Sequence, residues 1–254
     1  MKVDLFSIGK FTVHTYGVMI AIGIILCVII GTYRAKKLEM KPEPVLDLAI
    51  LCVVTGFLGA KLLFVLISFR QFLEDPFSVL GSSGFVVYGG IIVGVLAAMI
   101  YCRVKKLQFF QYFDLLAPSV SIAQAFGRLG CFFAGCCYGR ETDLPIGVVF
   151  PENSFAPAGV SLIPTQLISS AGDFAIMAVL ILFSKRAKYI GDVGALYLLL
   201  YGIGRFFVEF LRTNVQGGLG ILTTAQLISV VFVAAAIVLF WRNRRFGSEK
   251  EAVM

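Results

Sequence analysis

The chain has 254 residues, of which 59% are hydrophobic and only 15% are charged, and its net charge is +7. The mean hydropathy is +0.91, whereas soluble globular domains are about 25% charged and 45–50% apolar. This composition excludes an ordinary soluble domain. It also argues against a nucleic-acid partner, because the basic residues gather in short runs at the ends of apolar segments. We expect a single membrane domain over residues 1–254.

Seven apolar windows follow one another along the chain, and each has about the 20 residues that cross a bilayer core. They cover roughly 14–33, 46–68, 84–102, 114–133, 165–184, 192–211 and 222–241. We therefore predict an all-α polytopic membrane protein with about seven transmembrane helices. The first window has no small-residue cleavage site after it, so we expect it to act as an uncleaved targeting signal.

The basic runs predict an orientation, because each run follows an odd-numbered window. Their members are Arg34, Lys36, Lys37 and Lys41; Arg103, Lys105 and Lys106; Lys185, Arg186 and Lys188; and Arg242, Arg244, Arg245 and Lys250. The positive-inside rule places these runs in the cytoplasm, which puts the N-terminus outside and the C-terminus inside. The proline-containing loop 134–164 then forms an ordered, turn-rich periplasmic cap.

The stretch FGRLGCFFAGCCY, residues 126–138, places Arg128 at the end of an apolar window. An arginine at bilayer depth is costly unless it faces a partner or a water-filled cavity, so its default interpretation is functional. Its planar guanidinium suits a phosphate better than a lysine would. Gly127, Gly130 and Gly135 thin the backbone around it, which favours close approach by a large group.

Three other polar residues, two at window ends and Lys61 inside the second window, have a structural interpretation beside the functional one. His14, the single histidine, is typical of an interfacial anchor more than of a catalyst. Lys61 fits a lysine that extends toward the membrane surface as well as an ion-paired or functional group on a helix–helix face. Tyr88, which precedes two glycines, fits an aromatic-belt residue slightly better than a functional phenol.

Charged residues in the fifth and sixth windows need internal partners. For Asp173 the candidate partners are Lys61, Arg128 and Arg205. Arg205 and Glu209 are four residues apart and so share one helix face. They fit a self-neutralising pair that eases insertion, or a second guanidinium that helps to hold an anionic headgroup. Arg212 follows one turn later on the edge of that face.

The six cysteines fall into two groups. Cys27, Cys52 and Cys102 lie in or at the end of apolar windows, where cysteine behaves as a small apolar residue. The second group, Cys131, Cys136 and Cys137, clusters beside the predicted cap. Packing is our favoured interpretation for it, a disulfide or thiol-redox site is an alternative, and a metal site is disfavoured because histidine or acidic co-ligands are missing nearby.

Four motifs in order, HTYGVM, GFVVYGG, GRLGCFFAGCCYG and YGIGRFFVEFLR, resemble the bacterial prolipoprotein diacylglyceryl transferases over about residues 12–241. The resemblance implies an inner-membrane enzyme that moves the diacylglyceryl group of phosphatidylglycerol onto the lipobox cysteine of a prolipoprotein. A thioether forms and glycerol phosphate is released, as the first step of lipoprotein maturation. The implied partners are phosphatidylglycerol, prolipoprotein signal peptides and membrane lipids. Nothing in the sequence requires a metal or organic cofactor.

The resemblance also implies site residues. Arg128 would hold the lipid headgroup, Arg205 would polarise the scissile ester or stabilise the departing phosphate, and Glu209 would position Arg205. Tyr88 takes the place where many members have a histidine and is a candidate catalytic group. The implied phosphatidylglycerol-binding residues are Arg128, Tyr16, His14, Lys61, Gly89, Gly90, Gly127, Gly130, Gly139 and Gln166.

The chain departs from the family pattern at several positions. Cys131 replaces an asparagine and Cys136 an acid, and LIPTQLIS, residues 162–169, resembles HPxQLYE without its histidine, tyrosine and glutamate. These departures leave open a divergent paralogue that binds or transports lipid without transferase chemistry. A thiol–disulfide or quinone redox protein using Cys136 and Cys137 is a third hypothesis, although the chain lacks a C-x-x-C pair.

Overall fold

The computed structural model describes residues 2–8, 11–82, 84–212, 218–219 and 222–246. Within these ranges the helices are α1 Thr15–Lys37, α2 Glu43–Ile67, α3 Phe69–Glu74, α4 Pro76–Gly81, α5 Val87–Val104, α6 Phe109–Ala134, α7 Thr165–Ser184, α8 Asp192–Glu209 and α9 Thr224–Phe246. Three antiparallel pairs complete the fold: β1 Asp4–Ile8 with β2 Phe11–His14, β3 Val148–Val149 with β4 Ser161–Leu162, and β5 Gly218–Leu219 with β6 Leu222–Thr223. Lys250 of the last basic run lies outside the described residues.

Each of the seven predicted windows coincides with a helix. In the described part of the chain, six of these helices are long and apolar enough to cross a membrane: α1, α2, α5, α6, α7 and α9. Helices suit this environment because all their backbone hydrogen bonds are internal. The prediction of an all-α polytopic membrane protein is therefore confirmed. Helix α8 carries Asp192, Arg205 and Glu209 within 18 residues, and its crossing, like the orientation, stays a prediction.

The chain divides into two compact units, which we call the large unit, residues 1–31 and 113–254, and the small unit, residues 32–112. In the small unit, α2 packs closely along α5 through glycines. A Cβ placed on Gly59 would lie 2.6 Å from the Gly89 carbonyl oxygen, and one on Gly90 would lie 2.6 Å from that of Gly56. Small residues at such crossings let membrane helices approach closely.

The short helices α3 and α4 lie between the second and third predicted windows. Asp75 separates them and caps α4, because its carboxylate accepts a hydrogen bond from the Ser78 N–H at 3.0 Å. Phe77, in the first turn of α4, is 87% exposed. These two turns of helix are too short to cross a bilayer.

In the large unit, α7 packs on α8, and α8 packs on α9. A buried cluster of Ala117, Leu180, Val193 and Tyr197 joins α6, α7 and α8. Asp114 of α6 caps the start of α8, since its two carboxylate oxygens accept hydrogen bonds from the N–H groups of Gly191 at 2.9 Å and Gly194 at 2.8 Å. An acceptor at this end satisfies backbone donors that have no partner within the helix.

The segment between α6 and α7 is an ordered cap with its own small core. The pair β3–β4 and a bridge between Glu141 and Leu162 shape it. Phe150, Ala156 and Leu162 are buried in it, with Phe132 of α6 packed against them. The prediction of an ordered, turn-rich cap over 134–164 is confirmed, except that α6 includes Ala134.

Candidate functional site

Arg128 lies in the last two turns of α6, and its side chain is half-buried. Among the residues that the structure describes, it makes no hydrogen bond and no salt bridge. Its charge interacts with Tyr201, Cys131, Cys137 and Asp173, and with Tyr16. A guanidinium carries five N–H donors, so in the described structure these donors are left for a ligand.

Asp173 of α7 is only 4% exposed, and its Oδ2 atom has no hydrogen-bond partner among the described residues. Arg128 is the cation whose charge acts on this carboxyl group. Among the three candidate partners, Arg128 is the one whose charge acts on Asp173, and an ion pair between the two stays a prediction. Ser121 of α6 donates a hydrogen bond to the Asp173 carbonyl oxygen at 2.7 Å, which fixes α7 against α6 at this level.

Tyr16 and Gly130 bring the start of α1 against α6. A Cβ placed on Gly130 would lie 3.2 Å from Tyr16 Cδ2 and from the Tyr16 carbonyl oxygen, so a side chain there would require α1 to shift by a few tenths of an ångström. Tyr16 is 42% exposed and lies within electrostatic range of Arg128 and of Cys131, Cys136 and Cys137. Gly127, by contrast, has no atom within 4 Å of a Cβ built on it, which leaves open space next to Arg128 in sequence.

His14 ends the N-terminal hairpin, where its Nδ1 lies 2.6 Å from the Asp4 carboxylate in an exposed pair. This contact fits the anchor interpretation of His14. Its role in lipid binding stays a prediction.

Glu209 joins two arginines at the end of α8. Its Oε2 lies 2.6 Å from Arg205 Nη2 and 3.6 Å from Arg212 Nη1, and its side chain is 6% exposed. Thr223 also donates a hydrogen bond to Glu209 Oε1 at 3.4 Å. The predicted pairing of Arg205 with Glu209 is confirmed. The group carries one negative and two positive charges, so it retains a net positive charge.

The sulfur atoms of Cys131, Cys136 and Cys137 all lie within 4.8 Å of one another. The backbone that carries them is tied to the start of α7: Gln166 Nε2 donates to the Cys136 carbonyl oxygen at 2.8 Å, and Thr165 Oγ1 donates to that of Cys137 at 2.7 Å. Gln166 is 1% exposed, and its Oε1 atom has no hydrogen-bond partner among the described residues.

Cys137 and Cys136 lie just beyond α6, and their pKa values move in opposite directions. Hydrogen bonds with Cys131 and Cys136 lower the pKa of the Cys137 thiol, and the positive charges of Arg212 and Arg128 act in the same direction. The pKa of Cys136 is raised by its hydrogen bonds with Cys131 and Cys137 and by burial. Cys137 is thus the point at which the charges of both arginines act.

Gly139 closes the site on the cap side. Its N–H donates to the Ile163 carbonyl oxygen at 2.8 Å. A Cβ on it would lie 2.7 Å from the Leu211 carbonyl oxygen. Only glycine fits where the cap, the start of α7 and the end of α8 meet. This packing accounts for Gly139, and its contact with lipid stays a prediction.

In the small unit, the Lys61 ammonium donates to the Ser82 carbonyl oxygen at 2.7 Å and to that of Gly84 at 3.3 Å. It also lies 4.9 Å from the ring centre of Phe85, a cation–π distance. Its partners among the described residues are therefore main-chain oxygens, the Ser82 hydroxyl oxygen at 3.4 Å and aromatic faces. Tyr88 is half-buried in the first turn of α5, next to the glycines that pack on α2.

Sequence reasoning did not single out Tyr201 and Thr165. Tyr201 stacks on Tyr197 with ring centres 5.9 Å apart, and its hydroxyl lies within electrostatic range of Arg128. It stands four residues before Arg205 on the same face of α8, a spacing that could have indicated it. No sequence pattern indicated Thr165, because its hydroxyl donates a hydrogen bond to a main-chain oxygen, that of Cys137.

Comparison with known proteins gives a family for this chain. The family model described as Prolipoprotein diacylglyceryl transferase matches residues 3–242. The chain belongs to the prolipoprotein diacylglyceryl transferase family. This confirms the resemblance drawn from the four motifs and extends it slightly beyond residues 12–241.

Members of the prolipoprotein diacylglyceryl transferase family match the chain over nearly its whole length. A phosphatidylglycerol–prolipoprotein diacylglyceryl transferase of Clostridium tetani is 41% identical over 94% of this chain and 97% of its own. Clostridium perfringens has one, numbered 2, that is 37% identical over 98% of both chains. One from Clostridioides difficile is 35% identical over 92% of both chains.

Proposed function

We propose that this chain transfers the diacylglyceryl group of phosphatidylglycerol to the lipobox cysteine of a prolipoprotein in the bacterial cytoplasmic membrane. The observation that carries the proposal is Arg128, a half-buried guanidinium within an apolar helix whose donors have no partner among the described residues. Phosphatidylglycerol brings the anionic phosphate that such a group binds. Relatives that match nearly the whole chain are named for the same activity.

The reaction joins two substrates through one substitution. The sulfur of the acceptor cysteine, as a thiolate, attacks the glycerol carbon next to the phosphate. A carbon–sulfur bond forms while the carbon–oxygen bond to phosphate breaks, and its electron pair leaves on glycerol phosphate. The thiol proton passes to a base. Because negative charge grows on the departing phosphate, fixed positive charges give the main catalytic effect.

Arg128 and Arg205 are the two catalytic cations of the proposal. Arg128 holds the phosphate of the headgroup, and Arg205 stabilises the leaving oxygen while Glu209 fixes its direction. The Arg205–Glu209 distance of 2.6 Å supports this division, because a guanidinium held by a carboxylate keeps other N–H groups for a ligand. Tyr16 lies within electrostatic range of Arg128, and Gly127 is next to it in sequence with open space at its Cβ position. In this proposal both residues contact the headgroup.

The remaining residues are assigned from the family resemblance. In the large unit they are His14, Gly130, Gly139 and Gln166 for phosphatidylglycerol binding. In the small unit they are Tyr88 for catalysis and Lys61, Gly89 and Gly90 for lipid binding. Gly89, Gly90, Gly130 and Gly139 fill tight crossings, so they act by positioning helices and cap.

Lipid and signal peptide enter from the membrane. With the N-terminus outside and the C-terminus in the cytoplasm, the end of α6 that holds Arg128 faces the outer leaflet. The acceptor is the signal helix of a prolipoprotein, and membrane lipid is the source of the donor. The basic runs at the cytoplasmic ends serve orientation, and nucleic acid is no partner.

Complementation tests the proposal. Wild type, Arg128→Ala, Arg128→Lys and the exposed control Arg186→Ala are expressed in a strain depleted of its own transferase. Prolipoprotein processing is read as a gel shift. We expect wild type and Arg186→Ala to restore processing, Arg128→Ala to fail, and Arg128→Lys to restore little because lysine lacks the planar fork.

One outcome of the complementation test would contradict the transferase proposal. If wild type is present in the membrane at normal amounts and restores no processing, the transferase proposal falls and lipid binding without chemistry takes its place. Replacing Cys131, Cys136 and Cys137 together by serine tests the redox hypothesis. That hypothesis requires the triple variant to lose the function that the wild-type protein has.

A further inference from the structure

Cys131, Cys136 and Cys137 form a compact group of thiols that the proposed transfer reaction does not use. In the described part of the chain, they are the one set of three potential ligand residues close enough to share a metal ion, with every sulfur within 4.8 Å of the others. Each of the three side chains is half-buried. An ion can therefore reach the sulfurs, while bulk water is partly excluded.

The spacing suits a thiolate-bound metal. A zinc–sulfur bond is about 2.3 Å long, so three sulfurs in a plane around one ion are about 4 Å apart. The cluster therefore needs to contract by less than about 1 Å, which cysteine side chains achieve by small torsional changes. Missing histidine or acidic ligands are no obstacle, because three sulfurs alone complete a trigonal site for Cu(I), and for Zn(II) a water molecule would supply the fourth ligand.

A left-handed turn returns the chain toward α6 after its last residue. Gly135 has a φ of 72° and Cys137 a φ of 62°, and the latter value is unfavourable for a residue with a Cβ. Hydrogen bonds from Thr165 and Gln166 to the carbonyl oxygens of Cys137 and Cys136 hold this turn. Strained backbone that neighbours maintain is typical of a functional position.

The surrounding charges also favour a metal thiolate. Three thiolates around a monovalent or divalent cation leave a net negative charge. The positive charges of Arg128 and Arg212 both act on Cys137, so they offset that charge. A disulfide would join only two of the three sulfurs, and apolar packing requires neither arginine.

We propose that Cys131, Cys136 and Cys137 bind one thiophilic d10 metal ion, Cu(I) or Zn(II). Soft thiolate ligands select such ions. Three metal–sulfur bonds form, each thiol that is still protonated releases its proton to solvent, and no atom changes oxidation state. This inference stands beside the proposed transferase activity and does not depend on it.

The test uses the full-length chain purified in detergent under anaerobic, reducing conditions and stripped with a chelator. Zn(II) alone or Cu(I) alone is added, a competing chelator of known affinity follows, and the metal that remains per chain is measured. We expect about one equivalent of one ion in wild type. Cys131→Ser and Cys137→Ser should bind at least about tenfold more weakly, whereas the matched control Cys52→Ser should equal wild type.

A second measurement needs no variant. Alkylation followed by mass spectrometry counts the reactive thiols in the peptide that contains residues 131–137, with and without the bound ion. Protection of all three cysteines by the ion supports the site. The proposal is overturned if neither ion is retained, if Cys52→Ser loses metal as readily as the cluster variants, or if two of the three sulfurs are joined by a disulfide in protein taken directly from cells.

Discussion

Replacing Glu209 by glutamine removes the charge that joins Arg205 and Arg212 while keeping the shape of the side chain. At an effective dielectric constant of about 20, unit charges at the observed 2.6 Å attract by about 6 kcal/mol. Desolvation of the two groups opposes much of this attraction. Removing one partner of a buried ion pair typically costs about 3–5 kcal/mol, because the remaining charge is left unpaired. Glu209 is 6% exposed and Arg205 16%, so this range applies.

We expect Glu209→Gln to lower the melting temperature in detergent by about 10 °C. We also expect transfer to fall about 100-fold, because a misdirected catalytic group costs about that factor. The assay measures glycerol phosphate released from phosphatidylglycerol in the presence of a lipobox peptide. Glu152→Gln, an exposed change of the same kind on the cap, is the matched control and should behave as wild type.

A double-mutant cycle separates the ion pair from general damage. Combining Glu209→Gln with Arg205→Met should cost less stability than the sum of the single changes, by at least about 1 kcal/mol. Additive losses in the cycle, or wild-type stability and transfer in Glu209→Gln, would refute the argument that this carboxylate fixes the arginine.

Four glycines and one aspartate give further predictions. Gly130→Ala should destabilise by about 1–3 kcal/mol, because its Cβ meets α1 at 3.2 Å. Gly127→Ala should leave stability intact, because its Cβ meets no atom within 4 Å, yet lower transfer if lipid lies there. Gly135→Ala and Gly159→Ala share a positive φ that costs about 1–2 kcal/mol, but only Gly135 also has a neighbour at 2.6 Å, so it should lose more. Asp114→Ala should cost about 1–2 kcal/mol through the lost cap on α8.

Melting temperatures in one detergent check these stability predictions, and the glycerol phosphate assay checks transfer. Equal losses at the two positive-φ glycines would contradict the steric argument for the tighter one. A strong loss of stability in Gly127→Ala would show that its surroundings are filled. Unchanged transfer in that variant would argue against lipid contact at Gly127.

The long helices could be predicted from sequence because bilayer thickness sets a length that apolar windows must match. Each predicted window coincides with a helix, and Arg205 pairs with Glu209 as the spacing required. The charges of α8 were equally visible. Because of these charges, α8 is not among the six described helices that are long and apolar enough to cross a membrane. Its crossing therefore stays a prediction.

Short elements and main-chain contacts could not be predicted in the same way. Helices α3 and α4 span six residues each, too few to show a hydrophobic period. Lys61 bonds to carbonyl oxygens of Ser82 and Gly84, partners that every residue type offers and that sequence therefore does not mark. The cation whose charge acts on Asp173 could be identified only from three-dimensional packing, since its three candidates lay on three different windows.

The cap is held to the start of α7 by two kinds of contact, and they differ in what they demand of the sequence. At Ile163 both bonds run through main-chain atoms: its carbonyl oxygen accepts from Gly139 N–H, and its N–H donates to the Arg140 carbonyl oxygen. At Gln166 the bond depends on the side-chain amide. The hydrogen bonds at residue 163 therefore do not depend on the side chain. Isoleucine can occupy the position where the family pattern has histidine, and the main-chain bonds between the cap and the start of α7 still form. At residue 166, the bond to the Cys136 carbonyl oxygen requires a side chain that carries a donor of the same reach.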